Sequence, residues 1–289
     1  MTKRKRQNKP TVDDDNEDDQ MDISDDGTSD EEEELEDLTV DTEFEFFDPQ
    51  KQDFHGIKRL LTQLFSSDAK LLDLSELTEI ILDQPLLGST VKIDGEGAQG
   101  DPYALFTVLN LGVHKERSIF KQLRKYLLEK SKEDEQIHKI LNEVLQSDNA
   151  GIIFSERVIN MPVGIVPPMY KMLIEEIQWA VDENEPYKFD WYLIFSRTFR
   201  EIESTLGSEH SGNKKKKKKP DTLSYFHPED EIIEQKSDFI FDFKFTQQQA
   251  SSDSKRTFYD FGVSTAMRLF ILRGDKLQAV ADELEKACQ

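Results

Sequence analysis

The chain has 289 residues, of which 36% are apolar and 10% aromatic, so it holds ample material for a hydrophobic core. Its formal net charge of −22 disfavours direct nucleic-acid binding, which depends on lysine and arginine, and its single cysteine, Cys288, excludes a disulfide framework or a thiolate metal centre. Because no apolar run reaches the roughly 18 residues of a membrane span, we expect a soluble intracellular protein without one.

Acidic residues are concentrated at the N-terminus. Residues 1–37 carry five basic and sixteen acidic side chains, a net charge of −11, and almost no apolar surface. Such a segment cannot offset the entropy cost of ordering, so residues 1–38 are predicted to be a disordered acidic tail. The tail has two interpretations, a solubility device or a contact for a basic partner. In the second, the candidate partner-binding residues are Glu31, Glu32, Glu33 and Glu34.

The apolar periodicity after the tail predicts alternating strands and helices. The first expected elements are a strand over residues 40–47, a helix over 53–65, a helix from Ser75 that ends before Pro85, strands over 90–94 and 103–111, and helices around 119–127 and 137–145. The strands over residues 90–94 and 103–111 flank a glycine-rich loop and are therefore predicted to form a hairpin.

The second half continues in the same manner. The expected elements are a buried strand over residues 151–155, a helix that starts at Pro167 and Pro168 and runs to about Asp182 with Trp179 among its apolar positions, a strand over 190–202, further strands over 238–245, 258–261 and 266–272, and a C-terminal helix around 277–284. This order predicts one α/β (α+β) domain over residues 39–289, with a mixed sheet flanked by helices.

Gly95 to Gly100 match the G-x-G-x-x-G pattern of dinucleotide-binding loops. A true fingerprint opens a helix, whereas a strand-like segment follows here and Glu96 would repel a phosphate. We interpret the segment as a hairpin loop. The five histidines are scattered without metal-ligand spacing and are interpreted as surface or packing residues. Ser155, Glu156 and Arg157 are interpreted as a strand end with an ion pair, because no glycine elbow surrounds the serine.

A lysine-rich loop is predicted over about residues 207–220, and it should be disordered. Its six consecutive lysines are a solvated loop or a nuclear-import signal, and phosphate or anionic-lipid binding is a further alternative. The candidate import residues are Lys214, Lys215, Lys216, Lys217, Lys218 and Lys219. Residues 3–6, of sequence KRKR, are a second candidate signal.

Residues 154–171, of sequence FSERVINMPVGIVPPMYK, resemble a signature of the BCCIP family. The segments VDTEFEFF from residue 40, DFHGIKRLL from 53, DPY from 101, LNL from 109 and FHPED from 226 extend the resemblance over roughly residues 40–275. The resemblance implies a nuclear protein with a fold similar to the GCN5-related acetyltransferases but without their coenzyme A site. We therefore expect no cofactor and no enzyme activity.

The resemblance also implies partners. Fungal members of the family that this chain resembles act as a dedicated chaperone of a basic ribosomal protein of the large subunit. They also assist nuclear export of a phosphatidylinositol phosphate kinase. The resemblance therefore implies these two partners and nuclear transport receptors. Animal relatives bind a recombination protein and a cyclin-dependent kinase inhibitor. The alternatives are an acetyltransferase-like enzyme or a scaffold for such proteins. Further candidate partner-binding residues within the signature are Met161, Pro162, Pro167, Pro168 and Tyr170.

Overall fold

A mixed β-sheet forms the centre of the protein. The structure is a computed structural model that describes residues 43–84, 87–93, 95, 97–201, 222–246 and 263–288. The strands in these ranges are β1 (Phe44–Phe47), β2 (Ser89–Ile93), β3 (Ala104–Asn110), β4 (Ala150–Arg157), β5 (Trp191–Glu201), β6 (Leu223–Tyr225), β7 (Phe239–Phe243) and β8 (Val263–Arg273). Their spatial order is β1-β2-β3-β4-β5-β8-β7, and β6 pairs with β5. Every described pairing is antiparallel except that of β4 with β5.

Helices cover both faces of the sheet. They are α1 (Phe54–Phe65), α2 (Leu74–Asp83), α3 (Ser118–Lys130), α4 (Glu135–Val144), α5 (Val166–Asp182), α6 (Asp230–Lys236) and α7 (Leu277–Ala287). Helices α1 to α4 pack on one face, and α5 to α7 pack on the other. In the described ranges, none of the helices has the length and hydropathy to cross a bilayer.

Local sequence explains where several helices begin. The Asp73 carboxylate accepts hydrogen bonds from the backbone N–H groups of Ser75 and Glu76, and so caps α2. Asp134 caps α4 in the same way, through the N–H of Ile137. Proline in the first turn of α5 sits where its missing N–H costs nothing. Each helix then places an apolar stripe against the sheet.

The two faces have separate hydrophobic cores. On the α1 side, the rings of Phe65 and Phe195 meet edge to face with centroids 5.1 Å apart. On the α5 side, the ring of Phe106 packs on that of Tyr170 at 4.4 Å. Such contacts add to the free energy gained by burying the rings. The sheet is therefore covered by helices on both faces, which explains why β4 is apolar along most of its length.

The predicted fold class is confirmed, since the structure is a mixed sheet flanked by helices. The predicted hairpin is also confirmed, because β2 and β3 pair antiparallel and a short 3₁₀ turn, Gly97–Gln99, lies between them in place of a phosphate-binding helix. The acidic tail, the boundary near residue 38, the loop over 207–220 and the strand over 258–261 lie outside the described residues. The similarity to the GCN5-related fold stays a prediction.

One residue of the predicted helix over residues 167–182 was placed on the wrong face. The Trp179 side chain belongs to α5 as expected, but it is 64% exposed and does not contribute to the core. The core stripe of α5 runs instead through Leu173 and Ile177 to Ala180. Because neighbouring residues on a helix are about 100° apart, Trp179 points away when Ala180 faces the sheet.

Candidate functional site

The two parallel strands separate towards their carboxyl ends. Strands β4 and β5 pair only between Ala150–Ile153 and Trp191–Ile194, although β4 continues to Arg157 and β5 to Glu201. In open α/β sheets, the crevice at the carboxyl ends of neighbouring parallel strands is a common ligand site. This gap is therefore a candidate ligand site of the sheet.

Charged and polar side chains of the protein itself occupy the gap. They come from α1, β4, β5, the first residue of α6 and the segment before it, and we call them the strand-gap network. Its members are Gln63, Glu156, Arg157, Ser196, Arg197, His227, Glu229 and Asp230. Six of them are charged or titratable and less than 9% exposed, so the network is part of the interior.

Glu156 is the centre of the network on the α1 side of the sheet. It is 2% exposed and accepts hydrogen bonds from Arg197 Nε at 2.8 Å and from a terminal guanidinium nitrogen of the same residue at 3.0 Å. Gln63 Nε2 donates to it at 2.8 Å, and His227 Nε2 lies 2.8 Å from the same carboxylate. Burial raises the pKa of Glu156, but the hydrogen bond from His227 and the charge of Arg197 outweigh burial and hold the pKa below its ordinary value.

A second ion pair lies on the α5 side of the sheet. Arg157 faces opposite to Glu156 because successive strand residues alternate, and both terminal nitrogens of its guanidinium donate to the carboxylate of Glu229. The longer of these hydrogen bonds is 3.0 Å. The network therefore passes through the sheet, with one buried ion pair on each face and His227 beside the gap.

Asp230 and Tyr170 complete the polar surroundings on this side. Burial raises the pKa of Asp230 to about 7, although the neighbouring His227 opposes that rise. The Ser196 hydroxyl donates a hydrogen bond to its carboxylate. Burial, with the charges of Asp230 and Glu229, also raises the pKa of Tyr170 well above its ordinary value. The Tyr170 hydroxyl has no hydrogen-bond partner among the described residues.

This arrangement fits a structural role better than a catalytic one. A serine nucleophile needs a histidine base within hydrogen-bond reach, but Ser196 donates to Asp230 while His227 contacts Glu156. The cations Arg157 and Arg197 are already occupied by carboxylates. Within the described residues, no cluster of three or more His, Cys, Asp and Glu side chains has metal-binding geometry. The strand-gap network joins β4 and β5 to the segment before α6.

The predicted ion pair at the end of β4 is confirmed, although its partners were not identified from the sequence. Glu156 pairs with Arg197, which is 41 positions further along the chain, and Arg157 pairs with Glu229, which is 72 positions further along. The two residues do not pair with each other. His227 is buried, and its Nε2 lies within hydrogen-bond distance of the Glu156 carboxylate, so it is a packing residue, one of the two roles expected for the histidines. In the sequence, the FHPED segment shows only its resemblance to the family, and no local pattern indicates that it reaches β4.

The structure separates the candidate residues of the signature. Met161 is 6% exposed and Tyr170 1%, so their side chains belong to the hydrophobic core and do not present a surface to a partner. Pro162 is exposed, and Pro167 and Pro168 are half-buried. The candidates Glu31, Glu32, Glu33 and Glu34 and the lysines from Lys214 to Lys219 lie outside the described residues.

The two half-buried prolines line a groove between α5 and α7. This groove has a volume of about 420 Å³. We call it the α5–α7 groove, and it is lined by Pro167, Pro168, Lys171, Ile174, Glu175, Gln278, Ala281, Asp282 and Glu285. Its lining carries three carboxylates and one lysine. Sequence reasoning missed the groove because it combines residues about 110 positions apart.

Large apolar side chains are exposed just before the N-terminus of α5 and along the helix itself. Ile159 is 60% exposed and Val163 38%, and both lie in the segment that joins β4 to α5. Trp179 is 64% exposed, one turn after Glu175. Single exposed apolar residues are common, but exposed tryptophan is enriched at protein interfaces.

Known proteins similar to this chain were found by sequence and by structure. The chain is 44% identical to Protein bcp1 of Aspergillus oryzae over 97% of its length and 93% of that protein. It is 41% identical to Protein bcp1 of Schizosaccharomyces pombe, covering 85% of this chain and 89% of that one. The crystal structure of BCP1 from Saccharomyces cerevisiae matches with a TM-score of 0.60 and 26% identity, over 89% of this chain and 93% of that chain.

The family comparison gives the same result. The BCCIP family model matches residues 39–233, which is more than half of the chain and includes the signature, α5 and the whole strand-gap network. The resemblance inferred from the sequence motifs is therefore confirmed. This chain belongs to the BCCIP family.

Proposed function

We propose that this chain is a nuclear binding protein that acts as a dedicated chaperone for a basic ribosomal protein of the large subunit and takes part in nuclear protein export. The observation that carries the proposal is the net charge of −22 on a chain whose strand gap is filled by its own side chains. The charge favours a cationic partner. The side chains that fill the gap leave no crevice there for a cofactor.

The electrostatics favour a chaperone for such a partner. A ribosomal protein away from its RNA exposes a cationic surface that binds any nucleic acid, and an acidic protein covers that surface. Opposite charges accelerate the encounter of the two proteins. Exposed ion pairs contribute only about 0–1 kcal/mol each, so stable holding also requires apolar contact.

The proposed function needs no catalytic residue. The titratable groups in the gap neutralise one another, and the cations that could hold a phosphate are paired with Glu156 and Glu229. An acetyltransferase-like activity, which the resemblance left as an alternative, would require this network to open. Titration of the full chain with acetyl coenzyme A in a calorimeter tests that alternative, and binding at micromolar affinity would support the enzyme instead.

The direct test uses purified large-subunit ribosomal proteins, each offered separately to the full-length chain. We expect one of them to bind much more tightly than the others, and to be kept soluble and free of RNA while bound. A basic protein of similar charge that is not ribosomal, such as a histone, is the control. Equal affinity for every basic protein would show that the charge acts without selectivity and would refute the chaperone role.

A further inference from the structure

The α5–α7 groove combines an apolar floor with an acidic rim. Ile174 of α5 and Ala281 of α7 lie in the floor, and Ala281 is 7% exposed. Glu175 stands on one side, and Asp282 and Glu285 stand on the other. This combination complements one kind of surface, a helix with an apolar stripe flanked by lysine or arginine.

Two of the rim carboxylates are available to a partner. Glu175 and Glu285 form no ion pair with any residue that the structure describes, whereas Glu283, on the same helix as Glu285, contacts Lys236 and Lys286. The third carboxylate, that of Asp282, accepts a hydrogen bond from the uncharged side chain of Gln278 at 2.8 Å. The rim therefore has a net negative charge that the lysine of the groove, Lys171, only partly offsets.

Trp179 extends this surface along α5. Lys171, Glu175 and Trp179 are each four residues apart and so form one ridge on the helix, with Trp179 about 6 Å beyond Glu175 along the axis. An exposed indole beside carboxylates attracts a cation, because the ring face binds lysine or arginine and the carboxylates raise the local concentration of positive charge.

We propose that the α5–α7 groove, together with Trp179, is the docking site for a basic amphipathic helix of the client protein. Apolar side chains of that helix lie over Ile174 and Ala281. Its cations pair with Glu175 and Glu285, and one of them stacks on Trp179. This inference rests on the proposed function for the identity of the client, while the site itself is defined by the groove and by charge complementarity.

The test compares matched variants of the full-length chain. Trp179→Ala should weaken binding of the selected ribosomal protein about tenfold, as expected for loss of an aromatic anchor. The double variant Glu175→Gln/Glu285→Gln should weaken it roughly threefold to tenfold at low salt, and less at high salt. The control Glu133→Gln/Glu143→Gln makes the same change in net charge at exposed positions near the opposite helical layer, and should leave the affinity unchanged.

A fluorescence measurement reports on the site directly. The chain has two tryptophans, so the variant Trp191→Phe leaves Trp179 as the single emitter. The probe is a 20-residue, tryptophan-free peptide with leucine on one helical face and lysine and arginine on the other. Binding should reduce acrylamide quenching of Trp179, and a scrambled peptide of the same composition should not. The unfolding free energy of Trp191→Phe is measured first, to show that this variant is folded.

The outcomes separate the two proposals. If a ribosomal protein binds selectively but the α5 variants and the control bind it alike, the docking site is overturned and the chaperone role stands. If no ribosomal protein binds selectively while the amphipathic peptide protects Trp179, the chaperone role fails and the site stands. If neither the protein nor the peptide protects Trp179, the docking site is overturned.

Discussion

Glu156→Gln removes the central negative charge of the strand-gap network while keeping the size of the side chain. Arg197 then stays in the interior, 8% exposed, without the carboxylate that accepts two of its hydrogen bonds. Removing one partner of a buried ion pair costs about 3–5 kcal/mol, because the remaining charge is left uncompensated. In a domain of this size each kcal/mol lowers the melting temperature by about 2–4 °C, so we expect a fall of roughly 6–20 °C.

The assay is urea unfolding followed by circular dichroism, with the melting temperature as a second measurement. Asp101→Asn is the control, because the Arg59–Asp101 pair is more than 60% exposed on both sides and should contribute less than about 1 kcal/mol. Adding Arg197→Met to Glu156→Gln should recover part of the loss, since no buried cation is then unpaired. The reasoning is refuted if Glu156→Gln unfolds within 1 kcal/mol of the natural chain.

Three other outcomes are expected. The pKa of Asp230 is about 7 in the folded state and 3.8 as the ordinary value, so the folded state binds its proton more firmly. The contribution of Asp230 to stability therefore falls as pH rises from about 4 to 7, by at most about 1.4 kcal/mol per pH unit. Urea unfolding at pH 5 and pH 8 should show a smaller difference for Asp230→Asn than for the natural chain, and an unchanged difference would contradict this. Deleting residues 1–37 should slow association with a basic partner more than it speeds dissociation, and the effect should shrink as the salt concentration rises. A stopped-flow measurement in which only the dissociation rate changes would contradict this and place the tail in the bound interface. Replacing the lysines at 214–219 by neutral residues should shift the protein towards the cytoplasm and leave the unfolding free energy unchanged. If the protein still accumulates in the nucleus after residues 3–6 are also neutralised, neither basic run is the import signal.

Most elements could be predicted from the sequence because their signals are local. The helix that ends before Pro85 follows from the restriction that proline places on the preceding residue, and the structure ends α2 at Asp83. The alternation of phenylalanines around Phe241 gave β7, and the apolar run around Ile153 gave a central strand. Each of these patterns lies within about a dozen residues, so no knowledge of the tertiary fold was needed.

The site could not be predicted in the same way because its parts are distant in the sequence. Nothing near Glu156 indicates that Arg197 and His227 lie beside it, since the contact depends on the crossover through α5 and on the return of the chain after β6. The exposure of Trp179 was missed because a small residue, Ala180, continues the core stripe, and a search for large apolar side chains favours the tryptophan. Charge asymmetry indicated a basic partner but gave no binding face.

The central strand β5 has a consequence for how the chain folds during synthesis. Its long antiparallel partner, β8, begins at residue 263, so the ladder between them joins positions up to 82 residues apart. A ribosome that has finished β5 at Glu201 must reach Val263 before pairing of that edge can begin, and Arg273 before it is complete. Until then β5, which is apolar along much of its length, has an open edge that can pair with another chain. Nascent chains stalled before β8 should therefore depend on general chaperones, and completion of the sheet is expected to be the last committed step of folding.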